Sequence, residues 1–390
     1  MPRHLLLATA EDSADVKSWS GIPFSLRVAL ERQVDQLTVF RPSKPRRDPL
    51  NVALRLGLGG KPLRWPLFMT EATLRQNARE LVAAVKTSGA DAVLSISSHS
   101  LARVDPFPVP TYMFSDSPWL AWKEAYAEYE PMPLRGKAFA RAEAEAAARC
   151  RGLFFGSAWA TCEAERLYFA GKATAEQRER LYVTPLGANW RPEVSTANVL
   201  EAVRGRSRER LDLLFVGRDW ERKGGPLAVQ VVERLRAAGA NACLQLVGCR
   251  PELPAALTEG DQPAVRVHGA LYQDVPAERA RLHELFLRSH LLLVPTKAEC
   301  FGIAFAEAQA FGLPPVSRDI QALPSVVVDG ETGLLMPPDA KADAYAERIL
   351  GLTGDWPGYL AMAERGIERA AKVTSWDAMA KSIVRVIFGD

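Results

Sequence analysis

Residues 290–317, HLLLVPTKAECFGIAFAEAQAFGLPPVS, contain the pattern on which our prediction of the fold rests. The apolar run 291–294 is short and continuous, which is typical of a strand buried in a parallel sheet. A turn containing Glu299 follows, and then an apolar helix is predicted over 303–311, because a glycine and a proline come directly after it. The order strand, turn and helix is typical of an α/β fold.

The predicted helix carries one carboxylate, Glu307, among small and apolar residues. Burying an unpaired carboxylate costs several kcal/mol, so Glu307 is expected to meet either a basic partner or a polar ligand. Glu299 lies eight positions earlier, at the helix entrance, where backbone N–H groups and the positive end of the helix also point. An ion pair between Glu307 and Lys297 or Arg318 within the core is the alternative interpretation.

The segment AECFGIAFAEAQAFGLPPVS resembles the E-x7-E element of the retaining family 4 glycosyltransferases, which have the GT-B fold. The resemblance implies that Glu299 lies beside the donor sugar and that Glu307 holds the ribose hydroxyls of the nucleotide. The N–H groups of Phe301, Gly302 and Ile303 begin the helix, where sugar oxygens or phosphate are favoured.

A second motif, GRDWERKGG at 217–225, follows the strand predicted at 211–216, LDLLFV. A nucleoside diphosphate leaving group gains charge as the glycosidic bond breaks, and fixed cations stabilise that transition state. The motif resembles the phosphate clamp of the same family, which implies this role for Arg218 and Lys223. A solvated basic turn is the alternative interpretation.

The first half of the chain contains strand ends that carry further candidates for the site. Gly21 closes a strand-to-helix turn and is a donor-binding candidate, although the family usually has two glycines there and this chain has Ser20-Gly21. His99 follows the strand predicted at 91–97, and the resemblance points it toward the sugar, with a pKa that lets it titrate near neutral pH. Asp116 and Trp119 follow the next strand as acceptor candidates, with an N-cap and a core ring as their respective alternatives.

Three further segments complete the site predictions. In similar enzymes, backbone groups near the position of Leu271 bind the nucleobase, so Leu271 is a donor-site candidate. The basic segment 41–64 is interpreted as a solvated loop, or as a contact with an anionic membrane surface or an acidic acceptor. Residues 135–150 predict a helix whose alternating charges pair at the surface.

Size and composition bound the class of protein. A chain of 390 residues exceeds one hydrophobic core, so we predict two domains with a boundary near residue 193. The resemblance implies that 1–192 binds the acceptor and 193–374 binds the donor, and that a helix at 375–390 crosses back to the first domain. The 49 Lys and Arg against 46 Asp and Glu give a net charge of +3, which argues against nucleic acid as a partner. Five cysteines without a CxxC pair favour reduced thiols, so a cytoplasmic protein is expected, at or away from the inner face of the membrane.

The resemblance implies the GT-B fold, with two Rossmann-like domains whose parallel sheets face an interdomain cleft. It also implies the activity of a retaining, metal-independent hexosyltransferase, which uses a nucleotide-diphosphate sugar and needs no cofactor. Its acceptor is a hydroxyl of a glycan, a lipid-linked molecule or a small molecule, in synthesis of cell-surface polysaccharide or glycoconjugate. The alternatives are a nucleotide-sugar isomerase of the same fold and a sugar-nucleotide-binding protein without catalysis.

Overall fold

The computed structural model of the chain describes residues 2–43, 70–129 and 136–389. The chain divides into two compact units, Met1–Leu186 with Trp376–Asp390 and Gly187–Ser375. The boundaries predicted from the sequence were 192/193 and 374/375. Of the basic segment 41–64, residues 44–64 lie outside the described part of the chain.

The first unit contains a parallel six-stranded sheet in the order β2-β1-β3-β4-β5-β6. Its central strands are buried along their whole length, which explains their continuous apolar sequences. The strands are β1 His4–Thr9, β2 Gln36–Phe40, β3 Ala92–Ile96, β4 Thr111–Ser115, β5 Gly152–Phe155 and β6 Leu181–Val183. The helices between them are α1 Ile22–Leu30, α2 Glu71–Ser88, α3 Trp119–Ala125, α4 Gly136–Arg149, α5 Ala158–Tyr168 and α6 Ala175–Glu179.

The second unit repeats this architecture with a parallel six-stranded sheet in the order β12-β11-β10-β7-β8-β9. Its strands are β7 Leu211–Val216, β8 Ala242–Val247, β9 Val265–Gly269, β10 Leu291–Leu293, β11 Pro315–Arg318 and β12 Leu334–Met336. Its helices are α7 Thr196–Arg204, α8 Gly225–Ala237, α9 Ala255–Thr258, α10 Pro276–Arg288, α11 Ile303–Ala310, α12 Leu323–Val326, α13 Ala342–Gly354 and α14 Trp356–Lys372.

The C-terminal helix α15, Trp376–Phe388, belongs to the first unit and packs against α1. It buries one face at helical spacing, through Trp376, Met379, Ala380, Ile383 and Val384. The helix therefore returns to the N-terminal half of the chain, as the predicted fold class requires. That fold class, an α/β protein with two parallel sheets, is confirmed.

Each sheet has a point where the chain reverses its direction of winding. In the first sheet the chain runs from β1 to β2 on one side and then to β3 on the other, so the reversal lies between β1 and β3. In the second sheet the corresponding pair is β7 and β10. Ligands of open α/β sheets bind outside the carboxyl ends of the strands at such points. Ligand-binding residues are therefore expected in the turns after β1 and β3 of the first sheet and after β7 and β10 of the second.

No helix in residues 2–43, 70–129 and 136–389 combines the length and the apolar character needed to cross a bilayer.

Candidate active site

The turns after β7 and β10 lie side by side and are joined by hydrogen bonds. The N–H of Lys297 donates to the carbonyl oxygen of Arg222 at 2.7 Å, and the Arg222 guanidinium donates to the carbonyl of Ala298 at 2.9 Å. Gly224 begins α8 with a φ of 77°, and a Cβ at that position would collide with the carbonyl of Pro295. A glycine is needed there because the two turns approach too closely for a side chain.

This joining brings together two of the predicted site residues, Lys223 and Glu299. The Lys223 ammonium forms an ion pair with Oε2 of Glu299, and both side chains are largely buried. The backbone N–H of Glu299 donates to Oε1 of Gln321 at 2.6 Å. Sequence reasoning predicted both charged groups but neither their pairing nor the contact with Gln321.

Glu307 lies in the middle of α11 and is 9% exposed. Burial raises the pKa of its carboxyl to about 8, and a hydrogen bond from the backbone of Trp190 opposes that shift in part. Within the described residues no cation pairs with Glu307, so the alternative of an ion pair to Lys297 or Arg318 is not found there. A carboxyl in this state is ready to accept hydrogen bonds from a polar ligand.

The remaining groups around the two turns are hydrogen-bond donors and a cation. Gly302 begins α11, and within the described part of the chain the N–H groups of Phe301, Gly302 and Ile303 find no acceptor. Arg218 is exposed in the turn after β7 and forms no ion pair within that same part. These groups suit an anionic or hydroxyl-bearing ligand.

Leu271 lies farther along the same edge of the sheet, just after β9, and is half-buried. The ends of β7, β8 and β9 follow one another closely, since the N–H of Gly217 donates to Val247 and the N–H of Gly248 donates to Gly269. The predicted nucleobase position is therefore two strands away from the turn that holds Arg218 and Lys223.

In the first unit, His99 follows β3 at the reversal point of that sheet. Its Nδ1 lies 2.6 Å from Oγ of Ser97, and its ring packs against Phe139 with the centroids 5.0 Å apart. Burial lowers the pKa of His99 to about 4. The expectation that this histidine titrates near neutral pH is therefore wrong, because its cationic form would lose too much hydration.

Asp116 and Trp119 follow β4 and have different environments. Asp116 is half-buried, its Oδ1 accepts from the N–H of Ser117 at 2.8 Å, and Pro118 rather than Asp116 stands at the start of α3. Trp119 is 9% exposed and packs edge-on against Phe139. We predicted that the ring stacks against an acceptor sugar. The core alternative replaces this prediction, because the ring is buried within a hydrophobic cluster.

The turn after β1 reaches Gly21 through an unusual backbone path. Trp19, Ser20 and Gly21 all have positive φ values, of 41°, 54° and 78°. Gly21 is buried at the start of α1, whereas Ser20 is exposed. Ser20 thus adopts the left-handed conformation at the position where the sequence lacks the second glycine, and consecutive residues in this region mark a strained turn.

A buried carboxylate in α4, Glu143, was missed by sequence reasoning. It accepts hydrogen bonds from Oγ of Ser98 at 2.8 Å, from the N–H of Trp119 at 2.9 Å and from the hydroxyl of Tyr168 at 2.6 Å. Burial raises the pKa of Glu143, and these three donors oppose the shift. Its carboxylate therefore ties the turn after β3 to the turn after β4.

The missed signal lies in the spacing of α4. The helix was interpreted as a surface element because its charges alternate, and Glu145 and Arg141 are indeed exposed. Glu143, however, stands four residues after Phe139 and three before Ala146, on the face that is buried. The interpretation of its charges as surface pairs is wrong for this residue.

Comparison with known proteins supports the family prediction. Residues 210–355 match the family described as "Glycosyl transferases group 1". A D-inositol 3-phosphate glycosyltransferase of Xylanimonas cellulosilytica is 30% identical over 217 residues, which are 53% of this chain and 51% of that protein. The chain thus spans about half the length of the curated relatives it matches.

Solved structures agree over nearly the whole chain. Sucrose-phosphate synthase from Thermosynechococcus elongatus is similar with a TM-score of 0.67 at 20% identity, over 99% of this chain and 98% of that one. Anabaena HepE, solved in complex with UDP and glucose, gives a TM-score of 0.59 at 14% identity over 99% of both chains. These likenesses establish the GT-B fold.

Proposed function

Because the chain carries a domain of the glycosyl transferases group 1 family, we propose that it moves a sugar from a nucleotide diphosphate to a hydroxyl of an acceptor. The observation that carries the proposal is Glu307, which is buried, has a pKa of about 8 and has no cation beside it in the described residues. A carboxyl kept in that state is costly unless a ligand supplies donors. The two hydroxyls of a ribose are such donors, and this is the role that the resemblance implies.

The diphosphate is assigned to the turn after β7. Arg218 is exposed and offers a planar fork of donors, whereas Lys223 offers a compact charge at the boundary with the core. Charge grows on the diphosphate as the glycosidic bond breaks, so both cations bind the transition state more tightly than the ground state. In the ligand-free protein Glu299 neutralises Lys223, and a bound phosphate competes for the same ammonium.

The sugar is assigned to the turn after β10. Glu299 and the N–H groups of Phe301, Gly302 and Ile303 surround the entrance of α11, where oxygen atoms of a ligand are stabilised. We propose retention of the anomeric configuration, with a leaving phosphate oxygen as the group that takes the acceptor proton. Neither a metal nor another cofactor has a part in this scheme.

The acceptor is assigned to the first unit, through His99 and Asp116. His99 with a pKa near 4 is neutral at pH 7, so it acts as a hydrogen-bonding group and not as a cation. A relative is named for transfer to an inositol phosphate, which is consistent with a small polar acceptor. Glycans and lipid-linked hydroxyls belong to the same proposal. For the basic segment 41–64, a contact with an anionic membrane surface or an acidic acceptor is proposed beside a solvated loop.

A panel of nucleotide sugars tests the proposal directly. UDP, GDP and ADP sugars are added to the protein, and the rise in melting temperature is recorded, because a ligand at 100 times its dissociation constant stabilises by about 2.7 kcal/mol. One class is expected to stabilise the wild type and to bind more weakly to Glu307→Gln in calorimetry. Equal affinity of the two proteins would remove Glu307 from the site.

Product analysis then separates transfer from its alternatives. With the stabilising donor and an acceptor panel, sugar is expected on the acceptor together with the free nucleoside diphosphate. Conversion of the donor without any acceptor would establish an isomerase instead. Binding without any product across the whole panel would establish a sugar-nucleotide-binding protein.

A further inference from the structure

Gln321 has a backbone conformation that residues with a Cβ rarely adopt. Its φ is 45°, in the left-handed region, and it lies between the end of β11 and the start of α12. The left-handed region brings Cβ close to the following carbonyl oxygen, so glycine is the usual residue there. A glutamine retained at such a position points to a use for its side chain.

The oxygen of the side-chain amide has a hydrogen-bond partner. Oε1 of Gln321 accepts from the backbone N–H of Glu299 at 2.6 Å, which anchors the amide to the turn after β10. That turn carries Glu299, whose carboxylate pairs with Lys223, and it leads directly into Gly302 and α11. The amide group of Gln321 is thus fixed beside the groups assigned to the donor sugar.

The nitrogen of the amide has no hydrogen-bond partner in the described residues. Nε2 carries two N–H donors, and no acceptor for them is found within residues 2–43, 70–129 and 136–389. Gln321 is half-buried. Its Nε2 atom is not one of the fully buried side-chain atoms that lack a hydrogen-bond partner. The donors are therefore open to solvent, on a residue that follows β11 at the same edge of the sheet as the turn after β10.

We propose that Nε2 of Gln321 donates a hydrogen bond to a hydroxyl oxygen of the transferred sugar and so helps to select the donor sugar. This inference rests on the proposed function, since it names a further residue of the same site. A carboxamide anchored through its oxygen presents its nitrogen in one direction, which suits recognition of one hydroxyl. The backbone strain is then explained, because glycine at this position would leave that hydroxyl without a partner.

Two variants separate the contact from the anchor. Gln321→Glu keeps the length and the oxygen that accepts from Glu299 but removes both donors. Gln321→Gly removes both the anchor and the donors, but glycine fits the observed φ, so relief of backbone strain offsets the lost hydrogen bond and the variant is expected to fold. Gln321→Gly is expected to keep the affinity for the free nucleoside diphosphate within about twofold, whereas the added charge of Gln321→Glu beside Glu299 is expected to weaken it. Both variants are expected to lose about tenfold in kcat/KM with the natural donor.

Deoxy and epimeric analogues of the donor identify the hydroxyl. For a residue that contacts one hydroxyl, the ratio of wild-type to variant kcat/KM is expected to fall to near one with the analogue that lacks it, and to stay near tenfold with the others. A ratio that is the same for every analogue, or a variant as active as the wild type, would overturn the inference while leaving the transferase proposal intact. Absence of transfer by the wild type with every donor would overturn both.

Discussion

At the scale of single residues, the proposed donor site depends most on Glu307. Its carboxyl is buried in an apolar helix and accepts from the backbone of Trp190, and burial raises its pKa to about 8. At pH 7 the ligand-free protein therefore holds this group largely protonated, although an exposed glutamate would be ionised. If the proposed nucleotide donates to the carboxylate, this preference is reversed and binding is expected to release a proton.

The raised pKa predicts how the stability of the ligand-free protein depends on pH. Between the unfolded value of 4.5 and the folded value of about 8, the folded state binds more protons than the unfolded state. Glu307 therefore contributes stability that is complete below pH 4.5 and is lost as the pH rises through 8. The free energy of unfolding is expected to fall by up to about 1.4 kcal/mol per pH unit from this group.

Denaturant unfolding at several pH values, for the wild type and for Glu307→Gln, measures this contribution. The amide does not titrate, so the difference between the two proteins is expected to change with pH over that range. A difference that is constant from pH 5 to 8 would show that Glu307 keeps an ordinary pKa.

Arg218 and Lys223 are predicted to differ in what their removal does to the fold. Arg218 is exposed, so Arg218→Ala should leave the melting temperature unchanged. Lys223→Ala leaves the buried Glu299 without its cation, so a loss of about 1–3 kcal/mol in stability is expected. Both variants are expected to reduce turnover by orders of magnitude, since each removes a charge that stabilises the leaving diphosphate.

The control for this comparison is Lys297→Ala, which removes an exposed cation from the neighbouring turn. It should keep both the melting temperature and the turnover of the wild type. Turnover that survives in the Arg218 and Lys223 variants would contradict the diphosphate assignment, even if their stabilities behave as expected.

At the scale of elements, the sequence was informative about strands and turns and uninformative about the contacts between turns. The largely apolar runs at 211–216 and 291–294 predicted β7 and β10, because a strand that is buried on both faces is mostly apolar. Asp212 is the exception in β7, where its buried carboxylate accepts hydrogen bonds from Arg210 and Gln245. The ion pair of Lys223 with Glu299 spans 76 positions, and it depends on the two turns being adjacent in the sheet. Such pairs follow from strand order, which no local pattern contains.

The helix α4 shows the same limit in another form. Counting charges over 135–150 predicted a solvated surface, whereas the position of Glu143 relative to Phe139 predicts burial. Its burial is possible because three donors converge on it, from the turn after β3, from α3 and from α5, and no single segment reveals that convergence. The strained backbone of Gln321 could not be predicted either, since nothing in its neighbours requires a left-handed residue.

The role of Glu143 in holding two turns can be tested by Glu143→Gln. The amide nitrogen cannot accept, so at least one of the three donors loses its partner, and about 1–3 kcal/mol of stability should be lost. Because the turns it joins carry His99 and Asp116, the KM for the acceptor is expected to rise while the nucleotide affinity stays unchanged. Acceptor kinetics and calorimetry measure the two effects separately.

Glu145→Gln is the matched control for this variant. Glu145 lies two positions along the same helix, is half-exposed and pairs with Arg103 at the surface. Exposed ion pairs contribute little to stability, so this variant should behave as the wild type in both measurements. Equal effects of the two substitutions would show that the network around Glu143 has no special role.

At the scale of the whole molecule, each unit presents its candidate residues at the reversal point of its own sheet. Gly21 and His99 follow β1 and β3, while Lys223 and Glu299 follow β7 and β10. The family resemblance predicted both sets of residues. The order of strands in each sheet explains their location, because ligands of such sheets bind at the reversal point. The second unit supplies cations and acids together, which suits a charged donor, and the first supplies a neutral imidazole and one carboxylate, which suits hydroxyl groups.

The last prediction concerns the reaction of the whole protein, and it joins metal independence to stereochemistry. If Arg218 and Lys223 neutralise the leaving diphosphate, transfer should continue in excess EDTA at a rate close to that without it. If the acceptor attacks from the side of the leaving group, whose oxygen takes the proton, proton NMR of the first product should show the anomeric configuration of the donor. Loss of activity in EDTA that Mg²⁺ or Mn²⁺ restores would contradict the assignment of the two cations to the diphosphate. An inverted product would require a separate base on the acceptor side. Neutral His99 and Asp116 would then be the residues to substitute.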